Sequence, residues 1–352
     1  MSAQLYHAIS FLVSVTVVLW TIPDVKNIGL RLGIVDRPNK RKIHQNPTVR
    51  VGGISIFTGT IAALLVVWGL GGFGVLPPEQ EWEIWGIVLG SVGFFAIGFA
   101  DDLFNLRPLS RLAMQFAVAS VSWQMGVKIQ FLSIPFHGLV PLYWLSLPIT
   151  VIWLAGMANA INWIDGVDGL AAGVSGIAAV VLLIMTLFVD RPAAALIAAA
   201  LAGGSLGFLR YNFNPAQIFM GDGGAYFMGF TLAGIATIGL VKTTAVTAVI
   251  LPYLILAVPI FDMSAVILSR LSRGKSPFRA DNSHLHHWLL ASGVPQRLTV
   301  LFIYSLTLWV GCLALGFSNL PSGWGYAIGA TFLLAYVGWQ VWRKKKLKVE
   351  KI

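Results

Sequence analysis

Apolar residues collect along this chain into eleven runs of roughly bilayer length, at about 5–23, 52–71, 82–99, 109–126, 143–161, 169–189, 193–209, 219–240, 245–269, 298–318 and 324–342. About 20 apolar residues in a helix span the hydrocarbon core of a membrane. The pattern therefore predicts an all-α polytopic membrane protein of about eleven transmembrane helices. Pro77-Pro78, Pro108, Pro141, Pro192, Pro215 and Pro321 mark the boundaries between runs. The first run, Leu5 to Pro23, reads as a span rather than a cleavable signal peptide. Small residues such as those of AAAALAGGSLG permit close helix packing. No pair of matching broken helices suggests a transporter-type internal repeat.

Composition agrees with the pattern. Of 352 residues, 57% are hydrophobic and 11% charged, with a mean hydropathy of +0.79; soluble domains carry about a quarter charged residues. Nothing is left over for a soluble domain, so residues 1–352 read as one integral membrane catalytic domain with cytoplasmic loops at 24–50, 100–108, 162–168, 210–218 and 270–297 and a basic tail at 343–352. The single cysteine, Cys312, can form no intrachain disulfide. The net charge of +10 invites a nucleic-acid partner, but its distribution argues for a membrane instead. With the N-terminus outside, every Lys and Arg except Lys128, Arg191 and Lys242 falls on the cytoplasmic side, which fixes an N-out, C-in orientation. The excess also attracts anionic headgroups.

Five aspartates stand out against this background because they sit at the ends of apolar runs, where an ionised carboxylate is costly and marks function by default. Asp101 and Asp102 end the third run. Adjacent helical residues do not face each other, so the two would take different roles, one holding metal or phosphate and the other acting as base. Negative charge there also opposes the helix macrodipole. Asn159, Asn162, Asp165 and Asp168 recur every third residue in NAINWIDGVDGL, and Gly166 and Gly169 make a helix break here the better expectation. Polar groups on a broken helix line a cavity, and Asn offers both donor and acceptor to ribose, uracil or an amide as well as to metal. Asp222 lies in FMGDGG, whose glycines let backbone approach a ligand closely while Phe219 could stack on a base. All of these fall on the cytoplasmic side of the charge-assigned topology. Carboxylates gathered at a membrane surface suit Mg²⁺ held against phosphate oxygens, with Mn²⁺ as a substitute.

His284, His286 and His287 occur in HLHH. Three histidines suggest zinc, yet no cysteine is near and the acids are hard oxygen donors. With Arg273, Lys275 and Arg279 just upstream, contacts to a diphosphate fit better. In the first loop, Lys42, His44 and Arg50 could steer an anionic substrate, although topology alone accounts for most of that basic stretch.

Taken in order, DRPNKRKIH…RVGG, the DD pair followed by Asn105, NAINWIDGVDGLA, FMGDGG and HLHH resemble the polyprenyl-phosphate N-acetylhexosamine-1-phosphate transferase family, of the glycosyltransferase family 4 type, over Asp36 to about Trp288. The resemblance implies Mg²⁺-dependent transfer of a sugar-1-phosphate from a UDP-N-acetylhexosamine to a polyprenyl phosphate in the bacterial plasma membrane, with release of UMP at the cytoplasmic face. It implies Mg²⁺ at Asp222 with help from Asn162, and Asp101 as base or anchor for the lipid phosphate with Asp102 beside it. It further implies nucleoside and sugar contacts at Asn159, Asp165 and Asp168, uracil stacking on Phe219 and diphosphate contact at the histidines. HLHH and PTVRVGG are similar to the GlcNAc-1-phosphate branch, while Trp163 and Ala225 depart from the usual aliphatic and Ser. UDP-GalNAc or UDP-MurNAc-pentapeptide are the alternative donors, and relatives are often homodimers. A transporter would also explain many spans, but it predicts ionisable groups at mid-bilayer; only Asp262 lies deeper than the helix ends.

Overall fold

A computed structural model describes residues 3–36, 47–134, 138–241, 250–274 and 284–349. Thirteen α-helices occupy most of these residues. They are α1 (Ala3–Arg31), α2 (Gly53–Gly69), α3 (Pro78–Phe104), α4 (Pro108–Gln124), α5 (Ser146–Ile164), α6 (Leu170–Phe188), α7 (Pro192–Asn212), α8 (Gly221–Ala236), α9 (Ile250–Ile255), α10 (Ala257–Ser272), α11 (Leu285–Ala291), α12 (Gln296–Phe317) and α13 (Gly323–Val349). There are also a 3-10 turn (Tyr143–Leu145), a π-helical turn (Thr237–Val241) and two short antiparallel pairs: β1 (Val35–Asp36) with β2 (Thr48–Val49), and β3 (Phe131–Ile134) with β4 (Gly138–Pro141).

Each of the eleven apolar runs carries a helix. Among the described residues, seven helices are long and apolar enough to cross a membrane by length and composition: residues Gln4–Arg31, Pro78–Phe104, Tyr143–Ile164, Leu170–Phe188, Pro192–Asn212, Gly221–Leu240 and Gln296–Phe317. The protein is a multi-pass, all-α membrane protein. Pro78, Pro108 and Pro192 open their helices at the first turn, where the missing N–H has no intrahelical partner to lose.

Three boundaries differ from the sequence pattern. Helix α1 runs through Pro23 to Arg31, so part of the expected first loop is helical. The run at 245–269 is interrupted, with α9 ending at Ile255 and α10 starting at Ala257. The HLHH segment, expected in a loop, forms the short helix α11.

Helix α8 is the central post. Every residue from Gly223 to Ala236 is buried, and the helix packs against α2, α3, α5, α6 and α7. Helix α7 is nearly as enclosed because its run of alanines and glycines lets α1, α2 and α6 approach. Helix α13 packs on α12 at the periphery and leaves Trp324, Phe332, Trp339 and Trp342 exposed. The first turn of α8 meets the last turn of α3 and the end of α5 at one end of this bundle.

Candidate active site

Helix α3 ends where Asn105 adopts a left-handed backbone (φ 49°) and its N–H bonds the Asp101 carbonyl. This places Asp101 and Asp102 in the final turn, both buried. They point to different partners. Asp102 Oδ1 accepts from Arg50 Nη2 at 2.8 Å and Nε at 3.2 Å, while its Oδ2 accepts from the Gly223 N–H at 3.1 Å. Asp101 pairs with Arg111, one element later, and accepts from the Leu106 N–H at 2.8 Å. The expectation of separate roles for the pair thus has a geometric counterpart.

Arg50 and Asp222 are brought together by backbone. The Phe219 N–H donates to the Val49 carbonyl, the Gly52 N–H to Phe219 and the Gly53 N–H to Met220, each at 2.8 Å. Gly221 has φ 76°, and a Cβ there would lie 2.1 Å from the Arg50 carbonyl oxygen and 2.7 Å from Asp102 Oδ2. Only glycine fits such a position without strain. Asp222 follows in the first turn of α8 and accepts from Asn162 Nδ2 at 2.7 Å.

Helix α5 stops at Ile164, and Gly169 (φ 77°) precedes α6, so the helix break expected at the glycines is present. Asp165 and Asp168 lie in the intervening turn. One oxygen of Asp168 accepts from Asn214 Nδ2 and the Ala216 N–H, both at 3.0 Å, tying the turn to the segment before α8. Asn212 reinforces the tie: its Oδ1 accepts from the Gly169 N–H at 3.1 Å and its Nδ2 donates to the Ile218 carbonyl at 2.8 Å.

The result is a cleft of about 340 Å³ lined by Asp36, Arg50, Asp102, Asp165, Asp168, Asn212, Phe219, Asp222, His287 and Gln296 among others. A larger apolar cavity of about 600 Å³ lies between α6, α7, α12 and α13, but no charged residue lines it. The charged side chains gather in the smaller cleft. Burial pushes the Asp165 carboxyl up to about 8, with the neighbouring charges of Asp222, Asp102 and Asp168 adding to the shift. A carboxyl raised in this way would ionise more readily beside a cation.

Among the described residues no three His, Cys, Asp or Glu side chains converge to cage an ion. The cleft offers hard oxygen donors at Asp222, Asp102, Asp165 and the Asn162 amide, the ligand type of Mg²⁺ rather than of zinc.

Some expected residues stand apart from the cleft. Asn159 donates to Gln115 Oε1 and to the Ala155 carbonyl, each at 2.7 Å, and so faces α4. His284 and His286 are buried beside α10 and the Asp165–Asp168 turn, and only His287 of the three lines the cleft. Burial, followed by the charges of His287 and His284, holds the His286 imidazole down to about 3, so it stays neutral. Lys42 and His44 lie outside the described residues. Asp36, Arg111, Asn212 and Gln296 were not singled out as site residues from the sequence. Asp36 heads the DRPNKRKIH motif and Arg111 follows the DD pair by about ten residues, which was the available signal.

The sequence profile of glycosyl transferase family 4 matches residues 84–240, which include α3, the acid turn and α8. A "probable undecaprenyl-phosphate N-acetylglucosaminyl 1-phosphate transferase" of Bacillus subtilis (strain 168) is 37% identical over 298 residues, covering 84% of this chain and 80% of the relative. The chain belongs to glycosyl transferase family 4. A decaprenyl-phosphate N-acetylglucosaminephosphotransferase of Mycobacterium tuberculosis is 33% identical over 83% of this chain and 77% of its own. An undecaprenyl-phosphate alpha-N-acetylglucosaminyl 1-phosphate transferase of Haemophilus influenzae is 29% identical over 89% and 88%. The similarity thus extends on both sides of the matched family segment, to include Arg50 or the histidine helix.

Proposed function

We propose that the protein transfers GlcNAc-1-phosphate from UDP-GlcNAc to a polyprenyl phosphate, such as undecaprenyl phosphate, as the first membrane step of a cell-envelope polysaccharide. The observation that carries this reading is the convergence of Asp102, Asp165, Asp168 and Asp222, from three separate parts of the chain, with Arg50 and His287 in one cleft. The names of the family relatives supply the donor sugar and the lipid acceptor.

The reaction joins a phosphate oxygen of the acceptor to the sugar-bearing phosphorus of the donor and breaks that phosphorus's bond to the bridging oxygen, which leaves with UMP. Two anions must meet, so cations and donors have to neutralise them. Arg50, now on Asp102, and Arg111, now on Asp101, are placed to turn to incoming phosphates and free their aspartates in exchange. Asp222, steadied by Asn162, and Asp102 would hold Mg²⁺, which supplies charge neutralisation at the donor diphosphate. Asp101 or Asp102 orients the acceptor phosphate or accepts its proton. Phe219 offers a ring for uracil, Asp168 holds the turn that carries Asp165, and His287 offers a donor to the diphosphate.

On this reading the eleven apolar runs all span, the N-terminus lies outside and the cleft opens to the cytoplasm of a bacterial plasma membrane. The membrane body exists because the acceptor's isoprenoid tail cannot leave the bilayer. The test is UMP release by purified protein with undecaprenyl phosphate and Mg²⁺, comparing UDP-GlcNAc, UDP-GalNAc and UDP-MurNAc-pentapeptide. Release with UDP-GlcNAc alone is expected. Release with another donor alone would reassign the sugar, and silence with all three in folded protein would overturn the reading.

A further inference from the structure

Asp262 lies half-buried on α10 with its side chain covered, and nothing in the chemistry above uses it. Its carboxylate accepts two hydrogen bonds from the start of α11, from His284 Nδ1 at 2.7 Å and from the Leu285 N–H at 2.8 Å. The two side chains are 7% and 8% exposed, so neither is open to a ligand. An ionised carboxylate only accepts, which places the His284 proton on Nδ1 and fixes the ring plane.

From His284 the contacts run inward to the cleft. The His284 ring lies edge-on to Trp163, with centroids 6.1 Å apart, and parallel to His286 at 5.5 Å and 11°. The Arg270 guanidinium caps Trp163 at 5.0 Å. His286 in turn presses on the acid turn: a Cβ at Gly166 would lie 2.8 Å from His286 Nε2. His287, beside it with ring centroids 4.3 Å apart, is the histidine that lines the cleft.

We propose that Asp262 is a positioning residue, which through His284 and His286 sets the height of α11 against the Asp165–Asp168 turn so that His287 alone of the three histidines meets the donor diphosphate. The inference rests on the transfer reading for what His287 does there, but not for the placement of the three rings.

The experiment pairs kinetics with chemical labelling of the full chain in detergent. In resting wild-type protein, diethylpyrocarbonate should modify His287 and spare His284 and His286; in Asp262→Ala all three should label. The same variant should lose about 10- to 100-fold in kcat/KM for UDP-GlcNAc, the usual scale for removing the partner that orients a functional imidazole. Adding His284→Ala to Asp262→Ala should cost nothing further. Asp262→Asn keeps an acceptor for Leu285 and should recover part of the activity and part of the protection. It also serves as the test should the alanine variant fold poorly. Unchanged labelling in both variants, or additive losses for Asp262 and His284, would overturn the proposal. A wild-type chain that releases no UMP would count against the transfer reading alone, since the labelling pattern still decides the role of Asp262.

Discussion

The two sides of the cleft are built in different ways. On the acid side, main chain brings Arg50 and Asp222 together: three backbone hydrogen bonds join 49–53 to 219–220, and Gly221 and Gly53 sit where no side chain fits. On the histidine side, a seven-residue helix is held by side chains, through Asp262, Trp163 and the imidazoles themselves. A backbone-built wall survives loss of a carboxylate with its shape intact, so a substitution there reads chemistry. A wall built of side chains moves when one is removed, so a substitution there reads geometry. The difference tells which kind of variant is informative at each position.

The largest expected effect falls on the rigid wall. Asp222→Asn should reduce UMP release by about 10²- to 10³-fold or more, the scale seen when one transition-state charge contact is lost, with the melting temperature in detergent not lowered. A melting temperature that drops with the activity would show that the acid wall depends on its side chains after all. Gly221→Ala attacks the wall itself. With φ 76° and a contact 2.1 Å from the Arg50 carbonyl, it should cost about 1–3 kcal/mol in thermal stability. It should also displace Arg50 and Asp102 together.

A third effect comes from Asp165, whose carboxyl is raised to about 8. The folded chain holds that proton more tightly than the unfolded one, so without metal the Asp165 contribution to stability is full below about pH 4 and is lost as pH rises through 8. In EDTA the melting temperature should therefore drop between pH 6 and 8.5. Mg²⁺ should restore more of it at the higher pH, and Asp165→Asn should flatten the slope. The smallest effect is expected at Asn159→Ala. Its amide bonds Gln115 outside the cleft, so the loss should be about 1 kcal/mol of stability. Activity should change less than tenfold.

Asn159 shows where reading the sequence runs short. The spacing of Asn159, Asn162, Asp165 and Asp168 marked all four as cleft residues, yet α5 continues to Ile164 and turns Asn159 toward α4. The acids were legible because an ionised carboxylate at the end of an apolar run is costly. The helices were legible because bilayer length leaves little freedom in where a run can end. Asp262 was visible only as an oddity: its partner His284 is 22 residues away, and a pairing that distant is created by the fold. For the same reason Asn212, inside the expected 210–218 loop, gives no sign in the sequence that it ties the acid turn to the segment before α8. The break between α9 and α10 was hidden because apolar residues run straight across it, from Ile250 to Phe261.

Helix α8, enclosed along its whole length, has one more consequence. Asp222 stands at the tip of a rod that touches no lipid, while the helices around the rod take up the lateral pressure, thickness and fluidity of the surrounding film. The reaction centre is thus insulated from its solvent in the way a spindle is from its housing. Exchanging one detergent or lipid mixture for another should alter how readily the acceptor reaches the cleft long before it alters the turnover of substrate already bound.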